Sequence, residues 1–250
     1  LENTIRSKGI LTDGLVKDTC IPTTLAFVHT AADGEREFSF YRNPGADMML
    51  GKEEVDKELI KRSRIFHYGS LSMTHDKNFE ATQYAIQVAK DNGCLISFDP
   101  NLRLSLWKTP EEARKRILYG MKQCDIMKIS EEEVAFVSEQ ENLEEGVSFI
   151  RDNSDIKILF VTLGNKGSIA YYKDEKIYCR GIHQEHVVDT TGAGDTFCGA
   201  VLSRILELGT DALTVEDIRE MLLFANAAAS IVVTRKGALC SMPGPEEIRA

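Results

Sequence analysis

From residue 64 onward, short apolar runs alternate with stretches in which apolar residues return every third or fourth position. The runs predict strands over 64–68, 94–98, 125–129 and 157–162, and a hairpin near 168–178. The periodic stretches predict helices from about 77 to 90, after Thr109-Pro110, and from near Gly194 and Thr214. In the helix near Gly194, Phe197, Val201, Ile205 and Leu208 form one buried stripe while Arg204 and Glu207 face water. Strand and helix in alternation imply an α/β fold with a mainly parallel sheet covered on both faces. Ligands bind such sheets at the C-terminal ends of the strands.

The pattern before residue 64 differs. Two β-rich stretches, 23–30 and 35–42, meet across Asp33-Gly34, a strong hairpin signal. Phe38, Phe40 and Arg42 share one face of the second stretch, and Glu37, Ser39 and Tyr41 the other. A two-stranded ribbon has too little core to stand alone and must lean on something. The expectation is one α/β domain over 1–250 with a small β lid at about 20–45. Residues 1–8 read as the end of a helix stopped by Gly9, with no initiator Met, so the chain is expected to start inside a domain.

Composition narrows the function classes. With 43% hydrophobic and 28% charged residues, the 250-residue chain has the balance of an ordinary soluble protein. A formal charge of -9, with no compensating basic run, argues against a general nucleic-acid partner. No apolar run approaches the roughly 20 residues that span a bilayer, and no signal-peptide pattern opens the chain. The six cysteines include no Cys-x-x-Cys pair and are expected to be reduced thiols of a cytoplasmic protein. The five histidines lack metal-ligand spacing on a single helix.

The chemistry concentrates at Asp189-Thr190-Thr191-Gly192-Ala193-Gly194-Asp195-Thr196-Phe197. A glycine-rich turn at a helix start lets Gly192, Ala193 and Gly194 aim unpaired N–H groups at an anion. A carboxylate beside bound phosphate repels it, so Asp195 makes sense there mainly as the acceptor of a proton from an attacking hydroxyl. No Walker A loop is present, and the dinucleotide fingerprint fails because no third Gly follows Gly194 at the required place. By itself Gly-Ala-Gly equally suits a tight turn that caps a core helix. The longer stretch Asp-Thr-Thr-Gly-Ala-Gly-Asp-Thr-Phe-Cys-Gly-Ala closely resembles the C-terminal signature of the ribokinase/PfkB carbohydrate kinases. That resemblance implies a ribokinase-like sheet, Asp195 as catalytic base and the preceding amides as anion hole.

Further segments fall where strands should end. Asp99-Pro100-Asn101-Leu102-Arg103 is either a plain turn, with Asp99 as its cap and Arg103 exposed, or a polar rim for a ligand. It resembles the family's Asp-Pro-Asn-x-Arg stretch near sugar and phosphates, which implies Asp99 and Asn101 on the substrate and Arg103 as clamp on the transferred phosphoryl. Ser130-Glu131-Glu132-Glu133 suits an ordinary acidic helix start. Its place matches the family's Asn-x-x-Glu, which implies Glu133 in the outer shell of a magnesium ion and Ser130 near the nucleotide. Thr162-Leu163-Gly164-Asn165-Lys166-Gly167 is a hairpin turn or, by resemblance, the nucleotide segment with Thr162, Gly164 and Gly167. Asn226, in a helix face of small residues, is similar in place to the family's adenine-side Asn. Asp189, Thr191, Gly237 and Ser241 resemble its monovalent-cation loop, which implies potassium. Arg42 and Asn43, where the lid strand leaves into a Pro-Gly turn, resemble the segment by which fructokinase-like members reach the sugar.

The resemblance runs in order along nearly the whole chain. It implies transfer of the γ-phosphoryl of Mg-ATP to a sugar hydroxyl, with fructose to fructose 6-phosphate the leading expectation. A 2-keto-3-deoxygluconate kinase and a kinase-like binding protein without turnover are the alternatives. The family's additional N-terminal segment, with a sugar-contacting Asp and a Gly-Gly-Asn motif, has no counterpart here. Part of the sugar pocket and one strand are therefore expected to lie outside this chain. The exposed ribbon is also expected to serve as a homodimer contact.

Overall fold

The structure, a computed structural model, describes residues 1–30 and 36–249. The Asp33-Gly34 turn lies outside the described residues. Its two arms are β1 (Leu25–Thr30) and β2 (Arg36–Tyr41), paired antiparallel with Leu25 opposite Tyr41 and Thr30 opposite Arg36. Leu25, Phe27, Val28 and Tyr41 of this ribbon are exposed.

A second sheet holds six strands in the order β3 (Ile65–Gly69), β4 (Leu95–Asp99), β5 (Ile126–Ser130), β6 (Ile158–Thr162), β7 (Gly167–Tyr172) and β8 (Glu175–Arg180). β4 with β5 and β5 with β6 are parallel, and β6 with β7 and β7 with β8 are antiparallel. The strands predicted from the apolar runs are all present, displaced by about a residue toward their polar ends. The reason lies in the ladder: Ser130, polar in side chain, still pairs through its backbone with Thr162.

The chain divides into two compact units, one of Leu1–Leu95 with Leu102–Arg116, the other of Ile96–Asn101 with Ile117–Ala250. In the first, α1 (Glu2–Ser7) ends before Gly9, which takes the left-handed φ of 76°. α2 (Lys57–Lys61) is capped by Asp56, whose carboxylate accepts from Leu59 N at 3.0 Å. α3 (Asp76–Asp91) buries Ala81, Ala85, Ile86, Val88 and Ala89 along one stripe. α4 (Pro110–Met121) opens on a proline, which gives up no needed donor at that position.

In the second unit, α5 (Glu131–Ser138) follows β5 directly, α6 (Leu143–Asp152) is capped by Asn142, and α7 (Ala193–Leu208) and α8 (Val215–Val232) precede a short α9 (Pro245–Arg249). The core is built from central strands buried on both faces, which is why they read as continuous apolar runs. Met127, Ile129, Ile158 and Phe160 are fully buried, as are Val201 of α7 and Ile218, Met221 and Leu222 of α8. Phe160 meets Phe197 edge to face at 6.3 Å, which fixes the first turn of α7 against β6.

Candidate active site

Gly192 caps α7 in the left-handed conformation, φ 82°, and its carbonyl accepts the first helical bond from Thr196 N at 2.8 Å. Ala193 N donates back to Thr190 O at 3.2 Å, closing the turn. That amide, expected to face an anion, is thus engaged. The next two of the four N–H groups that a helix start leaves without intrahelical partners belong to Gly194 and Asp195. The Asp195 side chain is exposed, and its carboxylate accepts from Asn101 Nδ2 at 3.4 Å.

Behind this turn lies a buried ion pair. Lys128 Nζ reaches the two carboxylate oxygens of Asp99 at 3.2 and 3.1 Å, with both side chains under a tenth exposed. Asp99 Oδ1 also accepts from Asn101 N at 3.2 Å. Burial pushes the Asp99 carboxyl up to about 6, with the charges of Glu133 and Asp195 adding and Lys128 opposing. Burial works against the Lys128 charge too, but Asp99 and Glu133 outweigh it and hold the ammonium above its usual range. The Cys198 thiol, also buried there, is pushed up to about 12 by desolvation, with Asp99 and Asp195 contributing. Lys128 carried no assignment from the sequence. A lysine inside the apolar run Ile126-Met127-Lys128-Ile129 is the signal that could have found it, since a buried charge requires a partner.

Ser130 and Glu133 form a reciprocal cap at the start of α5. The Ser130 hydroxyl accepts from Glu133 N at 3.2 Å, and the Glu133 carboxylate accepts from Ser130 N at 2.9 Å. Thr162 ends β6 beside Ser130. Gly164 and Gly167 follow with φ of 59° and 116°; a Cβ on Gly164 would meet nothing within 4 Å, whereas one on Gly167 would strike Cys179 O. Asn226 is buried, accepting from Ser168 Oγ at 3.0 Å and donating to Cys179 O at 3.3 Å. It brackets α8 to the β7–β8 hairpin.

The predicted cation-loop residues come together. Asp189 accepts from Thr191 N at 2.8 Å and from Gly237 N at 3.2 Å, and Ser241 Oγ donates to Gly237 O at 2.7 Å. Arg42, Asn43 and Arg103 belong to the other compact unit. There Arg42 pairs with Asp47 at 2.5 Å and donates to Thr74 Oγ1 at 2.8 Å and Leu71 O at 3.0 Å, while Asn43 is exposed. Arg103 Nη1 donates to Leu102 O at 2.9 Å.

A mixed sheet flanked by helices, with a carboxylate at a glycine-capped helix start, defines a phosphotransferase of the ribokinase-like class. The model of the pfkB family carbohydrate kinases matches residues 1–244, and the chain belongs to that family. It is similar to a protein named fructokinase-1 of Oryza sativa subsp. japonica, 43% identical over 98% of this chain and 75% of that protein. A probable fructokinase-4 of Arabidopsis thaliana is 40% identical over 100% of this chain and 76% of its own length. Among solved structures, a Xylella fastidiosa fructokinase with bound ATP superposes with a TM-score of 0.90 at 30% identity, covering 99% of this chain and 78% of that one. A Vibrio cholerae fructokinase in fructose, ADP and calcium ion bound form gives 0.89 at 28% identity, covering 99% and 79%.

Proposed function

We propose that this sugar kinase transfers the γ-phosphoryl of ATP to the 6-hydroxyl of fructose. The observation that carries the reading is Asp195, exposed at the mouth of the Gly192–Gly194 turn with Asn101 on its carboxylate. Asp195 takes the hydroxyl proton as the sugar oxygen bonds to the γ-phosphorus. The bond from phosphorus to the β–γ bridging oxygen breaks, and its electron pair leaves with ADP. The Gly194 and Asp195 amides meet the charge on the phosphoryl oxygens. Arg103 is assigned to the phosphoryl clamp, and Arg42 and Asn43 to the sugar, from their places in the segments that resemble the family's. For Arg42 the structure sets a condition: its guanidinium already serves Asp47, Thr74 and Leu71.

The open backbone at Gly164 suits a nucleotide lying against it, and Thr162, Gly167 and Asn226 are assigned to that nucleotide from their places in the segments that resemble the family's. Among the described residues no group of three or more His, Cys, Asp or Glu is placed to hold a metal. A magnesium ion would be held by nucleotide phosphates with Glu133 outside its first shell, and would supply charge neutralisation there. The Asp189 carboxylate, Gly237 carbonyl and Ser241 hydroxyl are a hard-oxygen set that suits potassium. Six unpaired cysteines support a reducing, cytoplasmic setting. The exposed apolar side chains of β1 and β2 support a homodimer that covers the ribbon.

A panel of sugars with Mg-ATP, followed through ADP release, tests the reading. Fructose should give the highest kcat/KM. Preference for 2-keto-3-deoxygluconate would reassign the substrate, and release of ADP with no sugar in the panel would remove the kinase reading.

A further inference from the structure

We infer that the buried Lys128–Asp99 pair is a positioning device for the base, acting through Asn101. The inference rests on the reading of Asp195 given above. Four observations in one compact unit form the chain of contacts. Lys128 Nζ holds both oxygens of Asp99 at 3.1 and 3.2 Å. Asp99 Oδ1 in turn accepts from Asn101 N at 3.2 Å. Asn101 sits at φ 44°, a left-handed conformation that asparagine tolerates better than most residues, and the Asp99 bond to its N–H helps hold it there. From that conformation Asn101 Nδ2 reaches Asp195 Oδ1 at 3.4 Å.

The pair has a second connection to the same turn. A Cβ on Gly194 would come within 3.0 Å of Lys128 Nζ, so the buried ammonium lies beside the second residue of α7. Two charges in a dry interior are a costly way to join β4 to β5, and an apolar pair of similar size serves folding as well or better. Their location, bonded to the residue that contacts the base and beside the glycine that precedes it, gives the charges a use that packing does not.

The test removes both charges together, in Asp99→Asn/Lys128→Met, so that neither is left buried alone. The double variant should melt within a few degrees of the parent, while kcat with fructose and Mg-ATP falls about 10²-fold, the scale of a misplaced reacting group. Both KM values should stay within about threefold, as expected when only transition-state interactions are lost. The Asn101 side-chain amide resonances provide a readout independent of turnover. Asp195→Asn should shift them in the parent background and leave them unmoved in the double variant.

A folded double variant with kcat near the parent's, or one in which Asp195→Asn still shifts the Asn101 amide, overturns the inference. If the parent phosphorylates no sugar, the proposed function fails, and the Asn101 signal still decides this point. If the double variant does not fold, Asn101→Ala decides: the same loss in kcat with the fructose KM within about threefold supports the relay, and an unchanged kcat or a loss confined to KM overturns it.

Discussion

The α-carbon of Gly194 faces the ammonium of Lys128, and a methyl group there would lie 3.0 Å from Nζ and 3.7 Å from Cε. Because Asp99 pins the ammonium, Lys128 cannot swing aside without stretching a buried ion pair. Gly194→Ala should therefore lower kcat by about tenfold, with thermal stability lowered by no more than about 1–2 kcal/mol. Steady-state kinetics and a melting curve on the same preparation check this. A variant with full kcat would mean that the turn tolerates displacement of the ammonium.

Asp195→Ala should cut kcat by roughly 10²- to 10⁴-fold, the range of a positioned general base. The side chain is exposed, so the melting temperature should hardly move. ATP affinity, measured by calorimetry, should change little, because the substitution removes the proton acceptor and leaves the amides. More than half of the parent activity would disqualify Asp195 as the base.

Asn226→Ala should act on stability. It strips the acceptor from Ser168 Oγ, whose residue is fully buried, and the amide that donates to the Cys179 and Arg180 carbonyls. An unsatisfied buried hydroxyl costs about 1–3 kcal/mol, and chemical denaturation should show a loss of that size. A loss well below 1 kcal/mol would show that the β7–β8 hairpin is held by other contacts.

Asp99 gives stability a defined pH dependence. Its carboxyl rises from an ordinary 3.8 to about 6 in the folded chain, so the folded state keeps a proton that the unfolded state has already released. This contribution is complete below the unfolded value and is lost as pH rises through about 6. Between pH 4 and 6 stability should therefore fall with rising pH, by on the order of 1 kcal/mol per pH unit at most. Asp99→Asn should flatten that stretch of the curve. Parallel curves for parent and variant, from denaturant titrations at half-unit steps, would contradict the shift.

Much of the unit that carries Asp195 is legible in local pattern. Apolar runs on strands buried from both sides and the stripe from Phe197 to Leu208 are constraints set by near neighbours in the chain, and they locate β5, β6 and α7. The glycine-rich turn and Asp195 are legible for the same reason, since backbone freedom and a helix start are properties of adjacent residues. The engagement of Ala193 N by Thr190 O is local as well, but it depends on the turn's closed geometry, which composition does not specify.

Long-range partners are another matter. Asp99 and Lys128 lie 29 positions apart, Asn101 and Asp195 94, and Ser168 and Asn226 58. Sequence alone placed a carboxylate at the start of α7, and it holds in Lys128, inside an apolar run, a charge whose need for a partner went unread. Only the tertiary structure decided that Asp99 answers Lys128 while Asn101 turns to Asp195, because those choices depend on the order and register of strands brought together by folding. The same holds for Arg42, which in sequence resembles a residue that reaches the sugar and in the fold is bound to Asp47, Thr74 and Leu71. A side chain's type limits what it can bind, and the packing around it determines which partner is within reach.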